Sequence, residues 1–250
     1  MAGLTPQPDG SYLVMGQRVA MPVLVRKAKQ AAVMFLVDHN AAQRMVAPTG
    51  LKVVRQLGGK AIVTLALVDY IDNDLGTYTE LGLVFMVHDS GATPTSANYG
   101  NRKAVTTYIH RLPVNGEFTK EAGYGIWGFP KWVADLSVDF DRDGVTAQLK
   151  SGDEVVMTVR AKRGPIRVPR RAMPMNAYTC DEDGIVRRTP WTTDGTQKQQ
   201  VRLGGATVEV GYGHPLADEL RALGFPKRCL ATIFDDDMQA TFGAPEIVSA

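Results

Sequence analysis

The sequence predicts a mainly β (α+β) chain forming one mostly antiparallel domain with a few helices. Three observations carry this. Short β-branched or alternating apolar segments recur along most of the chain. Asp-Gly and Ser-Gly-Asp turn signals separate several of them in its middle third. No repeat, low-complexity block or linker interrupts the 250 residues.

The first twenty residues, rich in Gly, Pro and polar groups, read as an arm or edge hairpin. Residues 1–21 are therefore set apart from a domain over 22–250. Ala31 to Val37 is an apolar run too short for a helix and reads as a buried strand. Asp38 and Asn40 suit the N-cap of a short helix through Ala41 to Val46, which Pro48 stops. Ala61 to Val68, Leu81 to Val87 and Val105 to Val114 read as strands, with Gly91 to Asn101 as a loop. A meander follows, in which Leu136 to Phe140, Val145 to Leu149 and Val155 to Val159 alternate between turns. Lys162 to Arg171 is a basic, proline-containing link without interleaved aromatics, so it reads as solvated rather than nucleic-acid-binding. Pro215 opens the clearest helix, with Leu216, Leu220 and Leu223 on one face and Gly224 as its cap. Arg228 to Phe242 reads as a final strand pair.

Bulk properties narrow the function. Hydrophobic residues at 44% and charged residues at 22% are ordinary for a globular protein. A net charge of +2 gives no argument for nucleic-acid or membrane-surface partners. Cys180 and Cys229 sit in no ligand-like spacing, so a reducing cytoplasm is expected. No signal peptide is expected at Met1 to Gly16, and no apolar run is long enough to span a membrane. No dinucleotide fingerprint, phosphate loop or nucleophile elbow is present, and His39, His88, His110 and His214 show no paired ligand spacing. Asp235-Asp236-Asp237 reads as a solvated turn, because three adjacent side chains cannot converge on a metal.

Three stretches resemble the acetoacetate decarboxylase-like superfamily. Gly123 to Lys131, GYGIWGFPK, ends in the aromatic-Pro-Lys that in this family carries a Schiff-base lysine. Tyr78-Thr79-Glu80 resembles the family's Tyr-Thr-Glu, whose glutamate enters the active site. His214 to Ala217 and Ala244 to Ile247 resemble its C-terminal helix and last strand, and Ala32 to Leu51 matches more weakly. The resemblance implies a cone-shaped antiparallel β-barrel with the lysine inside, in a homo-oligomer (dimer or tetramer). It implies no cofactor and no metal.

A free lysine titrates near ~10.4, so only about one in 2,500 is neutral at pH 7. Lowering that to ~7 needs roughly 4.6 kcal/mol against the ammonium. Acetoacetate decarboxylase is the known example of doing so with a neighbouring cation. This sequence departs from that pattern. Trp132 stands where true decarboxylases have a second lysine, and a second family glutamate falls at about Leu65, on a strand without acids. With Trp127, Phe129, Pro130 and Trp132 around Lys131, desolvation is the expected pKa-lowering effect. The sequence looks more like the superfamily's pyruvate-using aldolase-dehydratases. Lys131 and Glu80 are then the catalytic candidates, with Tyr78, Trp127 and Phe129 lining the pocket. The keto-acid carboxylate needs a cation, for which Arg111, Lys29 and Arg26 are candidates. His110 and Arg111 alternate on a strand, so one of them should face inward.

Plainer readings stand beside these. Lys131 can be an ordinary lysine after a proline-ended turn, and Glu80 a surface acid. Gly224 to Lys227 repeats the motif Gly-Phe-Pro-Lys beside a helix cap, where Lys227 is expected to be exposed. The rival functions are decarboxylation of a β-keto acid and ligand binding by a non-catalytic barrel.

Overall fold

A computed structural model describes residues 3–88 and 104–249; the loop expected over Gly91 to Asn101 lies outside them. Seven strands close a barrel: β1 (Val23–Asp38), β2 (Lys60–Asn73), β3 (Tyr78–Met86), β4 (Val105–Val114), β5 (Met173–Cys180), β6 (Val186–Asp194) and β7 (Cys229–Phe242). Ring closure comes from β7, which pairs with both β6 and β1. Seven is odd, so directions cannot alternate all the way round. The obligatory parallel junction lies between β4 and β5.

Between β4 and β5 the chain leaves the ring. It forms a helix, a short strand at Lys131–Val133 parallel to β4, and the expected meander. The meander's strands Asp135–Phe140, Gly144–Ser151 and Glu154–Lys162, with Ala206–Val210, form a separate four-stranded sheet. The apolar core fills the space outside the ring, against this sheet. Val33, Phe35, Leu65, Leu67, Leu81 and Leu83 of the barrel share one buried cluster with Leu136, Leu149 and Val159 of the sheet. The opposite face of each barrel strand lines an internal cavity, as the two-residue period requires.

Three α-helices fall within the described residues. The first, α1 (His39–Val46), is capped by Asp38, whose carboxylate accepts from the Ala41 amide at 2.9 Å. The next, α2 (Glu117–Trp127), was not expected from sequence, because Gly123 and Gly125 each cost a helix interior roughly 1 kcal/mol. The last, α3 (Pro215–Ala222), begins as expected after His214, which accepts from the Leu216 amide at 3.1 Å; Gly224 has φ +86°. The N-terminal segment forms the hairpin Tyr12–Val14 and Gln17–Val19, and Tyr12, Val14 and Val19 join a second buried cluster beside the barrel.

Several local expectations are corrected. Arg228 to Phe242 is one long strand from Cys229, not a pair. The Asp235 to Asp237 triplet is no solvated turn; it lies inside β7 at a register shift, with Asp235 buried. Lys162 to Arg171 is not wholly solvated, because Ile166–Val168 pairs as a strand and the Arg170 side chain is 4% exposed. Lys227 is half-buried on an open groove rather than exposed.

Strict alternation also fails at His110. Leu83 pairs with Arg111 while Val84 pairs with Ile109, leaving His110 as the extra residue of a bulge. Neither His110 nor Arg111 lines the cavity; both reach Glu219 of α3, His110 at 3.2 Å. Burial alone would raise the Glu219 carboxyl, but hydrogen bonds from His110 and Arg111 outweigh it and bring it to about 2. A depressed carboxyl stabilises the fold above its ordinary value of 4.5 and loses that contribution as pH falls towards 2. Glu219→Gln should therefore cost on the order of 2 to 3 kcal/mol in urea unfolding at pH 7. The gap to the parent protein should close between pH 4.5 and 2.

Candidate active site

The barrel encloses a cavity of about 480 Å³. Lys131 reaches it by a tight local route. Gly128, at φ +65°, ends α2, and the chain then turns through Phe129 and Pro130 into the short strand where Lys131 pairs with Leu112. Gly123 is required for the same path. A Cβ there would lie 2.6 Å from Lys131 Cδ and 2.8 Å from Cε.

The Lys131 side chain is 3% exposed, and its Nζ lies 2.9 Å from Glu80 Oε2. It also donates to Thr119 Oγ1 at 3.0 Å and sits 4.8 Å from the centre of the Tyr78 ring. The other Glu80 oxygen accepts from Tyr70 Oη at 3.2 Å, and Tyr70 stacks on Tyr78 with centroids 4.3 Å apart. Burial is the largest single influence on Lys131 and pushes its pKa down. The Glu80 carboxylate and Tyr78 together outweigh it, so the net displacement is upward. The expected lowering by desolvation is offset here: with Glu80 beside it, the net displacement of the Lys131 pKa is upward. Burial raises both phenols, Tyr70 most of all.

Of the residues expected from sequence, Lys131, Glu80, Tyr78, Trp127 and Phe129 line this one cavity. Arg26, Lys29 and Arg111 do not. Arg26 is exposed and bound to Asp72 and Asp74, Lys29 lies opposite Asp69 on the outer face, and Arg111 holds Glu219. Leu65 also faces outward into the main core, and the cavity face of β2 carries Thr64, Ala66 and Val68. Trp132 packs against that core, opposite in direction to Lys131. Sequence reasoning missed Thr119 and Tyr70 beside the pair, and a second polar cluster of Arg170, Asp235, Gln199 and Trp191. One signal was available for Asp235: it alternates with Ile233, ahead of the apolar Met238, as a continuing strand would.

The fold is thus a closed barrel with an external sheet and an internal cavity holding a buried lysine–glutamate pair. The chain belongs to the acetoacetate decarboxylase (ADC) family, whose model matches residues 5–246. An acetoacetate decarboxylase from Legionella pneumophila subsp. pneumophila str. Philadelphia 1 superposes with a TM-score of 0.69 at 16% identity, covering 98% of this chain and 92% of that one. The enduracididine biosynthesis enzyme MppR, complexed with pyruvate, superposes with a TM-score of 0.66 at 14% identity, covering 99% of both chains. A second MppR structure, with the condensation product of pyruvate and imidazole 4-carboxaldehyde, superposes at 0.60 and 12% identity, covering 92% of this chain and 90% of that one. At these identities the likeness is one of fold. No curated protein sequence matches the chain.

Two outcomes test the geometry. Gly123→Ala should displace the flexible end of Lys131 and slow its modification by an amine-directed reagent at least tenfold. Its melting temperature should fall, since parting the buried Lys131–Glu80 pair outweighs the roughly 1 kcal/mol that Ala adds to the helix. Glu80→Gln removes a carboxylate that raises the Lys131 pKa. The midpoint for reaction of Lys131 should then move to lower pH, as read by peptide mass mapping across a pH series.

Proposed function

We propose that the protein is a lyase that condenses pyruvate with an aldehyde and dehydrates the product through an enamine on Lys131. The observation that carries this reading is the buried Lys131–Glu80 pair facing a ligand-sized cavity. Similarity in fold to MppR, solved with pyruvate and with a pyruvate condensation product, supports it.

The two groups suffice for the proton transfers. Glu80 takes a proton from the Lys131 ammonium across 2.9 Å. The neutral amine attacks the pyruvate ketone, and Glu80 returns the proton as water leaves, giving an iminium. Glu80 then takes a methyl proton, so the carbon–hydrogen pair becomes the enamine double bond. The enamine carbon attacks the aldehyde carbon, and Glu80 protonates the new alkoxide. Loss of a second proton and the hydroxyl releases water and forms the alkene. Water then cleaves the iminium, freeing a 4-substituted 2-oxo-but-3-enoate and restoring Lys131. Net, one water is released per condensation. The reverse hydratase-aldolase direction uses the same groups.

Decarboxylation of acetoacetate is the second reading, favoured by the family model. Against it, the groups around Lys131 Nζ are Glu80, Thr119 and Tyr78, with no second cation among them. Carbon dioxide release from acetoacetate well above background would reverse the order. A non-catalytic barrel is the third, and would leave ligand-dependent behaviour intact in Lys131→Ala. The reading carries with it small-molecule partners only, and a cytoplasmic homo-oligomer.

Borohydride treatment with pyruvate, followed by intact mass and peptide mapping, is the direct test. A single pyruvyl adduct on Lys131, lost in Lys131→Ala, is expected. Adducts on Lys227 or spread over many lysines would overturn the assignment.

A further inference from the structure

The cavity has a second polar end that the proposed chemistry leaves unused. Arg170 and Asp235 form an ion pair there, with side chains 4% and 3% exposed. Gln199 Nε2 donates to Asp235 Oδ2 at 3.3 Å. Two buried donors on cavity-lining residues have no partner among the described residues, Arg170 Nε and Trp191 Nε1. Buried donors are seldom left unpaired, because each forfeits its bond to water without replacement.

This end lies across the barrel from Lys131. Asp235 pairs with Gln30, Gln30 with Val68, and Val68 with Glu80, so one hydrogen-bonded row joins the two polar clusters. The row spans three inter-strand steps, roughly 14 Å along the sheet. In a ring of seven, no two strands are further apart. The groups around Lys131 (Glu80, Tyr78, Thr119) and those around Arg170 (Asp235, Asp194, Asp237) do not overlap. The walls also carry apolar residues, including Ala66, Ile109, Met175 and Ile233, beside the polar Gln30, Thr64 and Thr107.

We infer that Arg170 and Trp191 form a specificity subsite for the second substrate, an aldehyde with an apolar body and an uncharged oxygen at its far end. The inference rests on the reading of Lys131 given above. Its chemistry follows from charge. Arg170 is already paired with Asp235 and lies near Asp194 and Asp237, so a carboxylate at this end would meet three acidic side chains and one cation. A hydroxyl meets the cluster on both counts. Its oxygen accepts from the unpaired donors, and its proton can be given to Asp235.

Pyruvate and either benzaldehyde or 4-hydroxybenzaldehyde would be assayed with the parent protein and with Arg170→Met. The preference, kcat/KM for the hydroxylated over the plain aldehyde, should fall about tenfold in the variant, equivalent to roughly 1.4 kcal/mol. Comparing ratios between proteins cancels the hydroxyl's electronic effect on the carbonyl. Because Arg170→Met leaves Asp235 unpaired, Arg170→Met/Asp235→Leu is measured as well, and should show the same loss while retaining the fold. An unchanged ratio in both variants, or a parent preference for 4-carboxybenzaldehyde, would overturn the assignment. A missing pyruvyl adduct on Lys131 would instead refute the reading beneath it. In that event, calorimetric binding of 4-hydroxybenzaldehyde to parent and variants still decides the subsite: weaker binding to the variants supports it, and equal binding overturns it.

Discussion

The contact between Lys131 and Glu80 governs the rest of this architecture. Two opposite charges are withdrawn from water, which costs several kcal/mol per ion unless partners replace the lost hydration. Those partners come from different parts of the chain: Tyr70 on β2, Tyr78 on β3 and Thr119 on α2. None can shift far, because the strands are fixed in register with their neighbours and α2 is held by close packing at Gly123. The pair is held from both sides by elements that the barrel keeps in place.

Such a site requires an unusual distribution of apolar mass. A small barrel normally fills its interior with side chains. Here Phe35, Leu65, Leu67, Leu81, Leu83 and Phe85 of β1, β2 and β3 point outward into the core shared with the four-stranded sheet, and Ala32, Ala66 and Gly82 are among the residues that line the interior. Gly82 illustrates the constraint, since an added Cβ would lie 3.2 Å from Leu112 and 3.3 Å from Val84. Stability therefore resides between barrel and sheet, and the interior is left for a ligand.

This distribution also explains what the sequence could reveal. A two-residue period marks strands but not which face meets the core. The strands around Phe35, Leu65 and Leu83 were legible, whereas their inward partners were not. Lys131, Glu80 and Tyr78 could be named because they stand in motifs. Arg170 and Asp235 could not, because a basic link and an acidic triplet look solvated until tertiary packing pairs them across 65 residues. Arg111 misled for a local reason: one extra residue at His110 turned two side chains to the same outer side. Helix α2 was hidden by its glycines, which serve close approach to Lys131 and Leu4 rather than helix propensity.

The raised pKa of Lys131 looks at first like an obstacle to nucleophilic attack. Free-energy bookkeeping over the whole cycle suggests otherwise. An ammonium and an iminium place their positive charge on the same nitrogen, beside the same carboxylate. A pocket that favours one favours the other, so under the proposed mechanism the resting pair would be preorganised for the iminium. In that mechanism the cost would fall on the single deprotonation between them, with Glu80 receiving the proton inside the cavity. A decarboxylase with two adjacent cations lowers that cost by destabilising the ammonium. In the proposed mechanism the carboxylate in contact with the lysine would take the part that a second amine plays in the other arrangement.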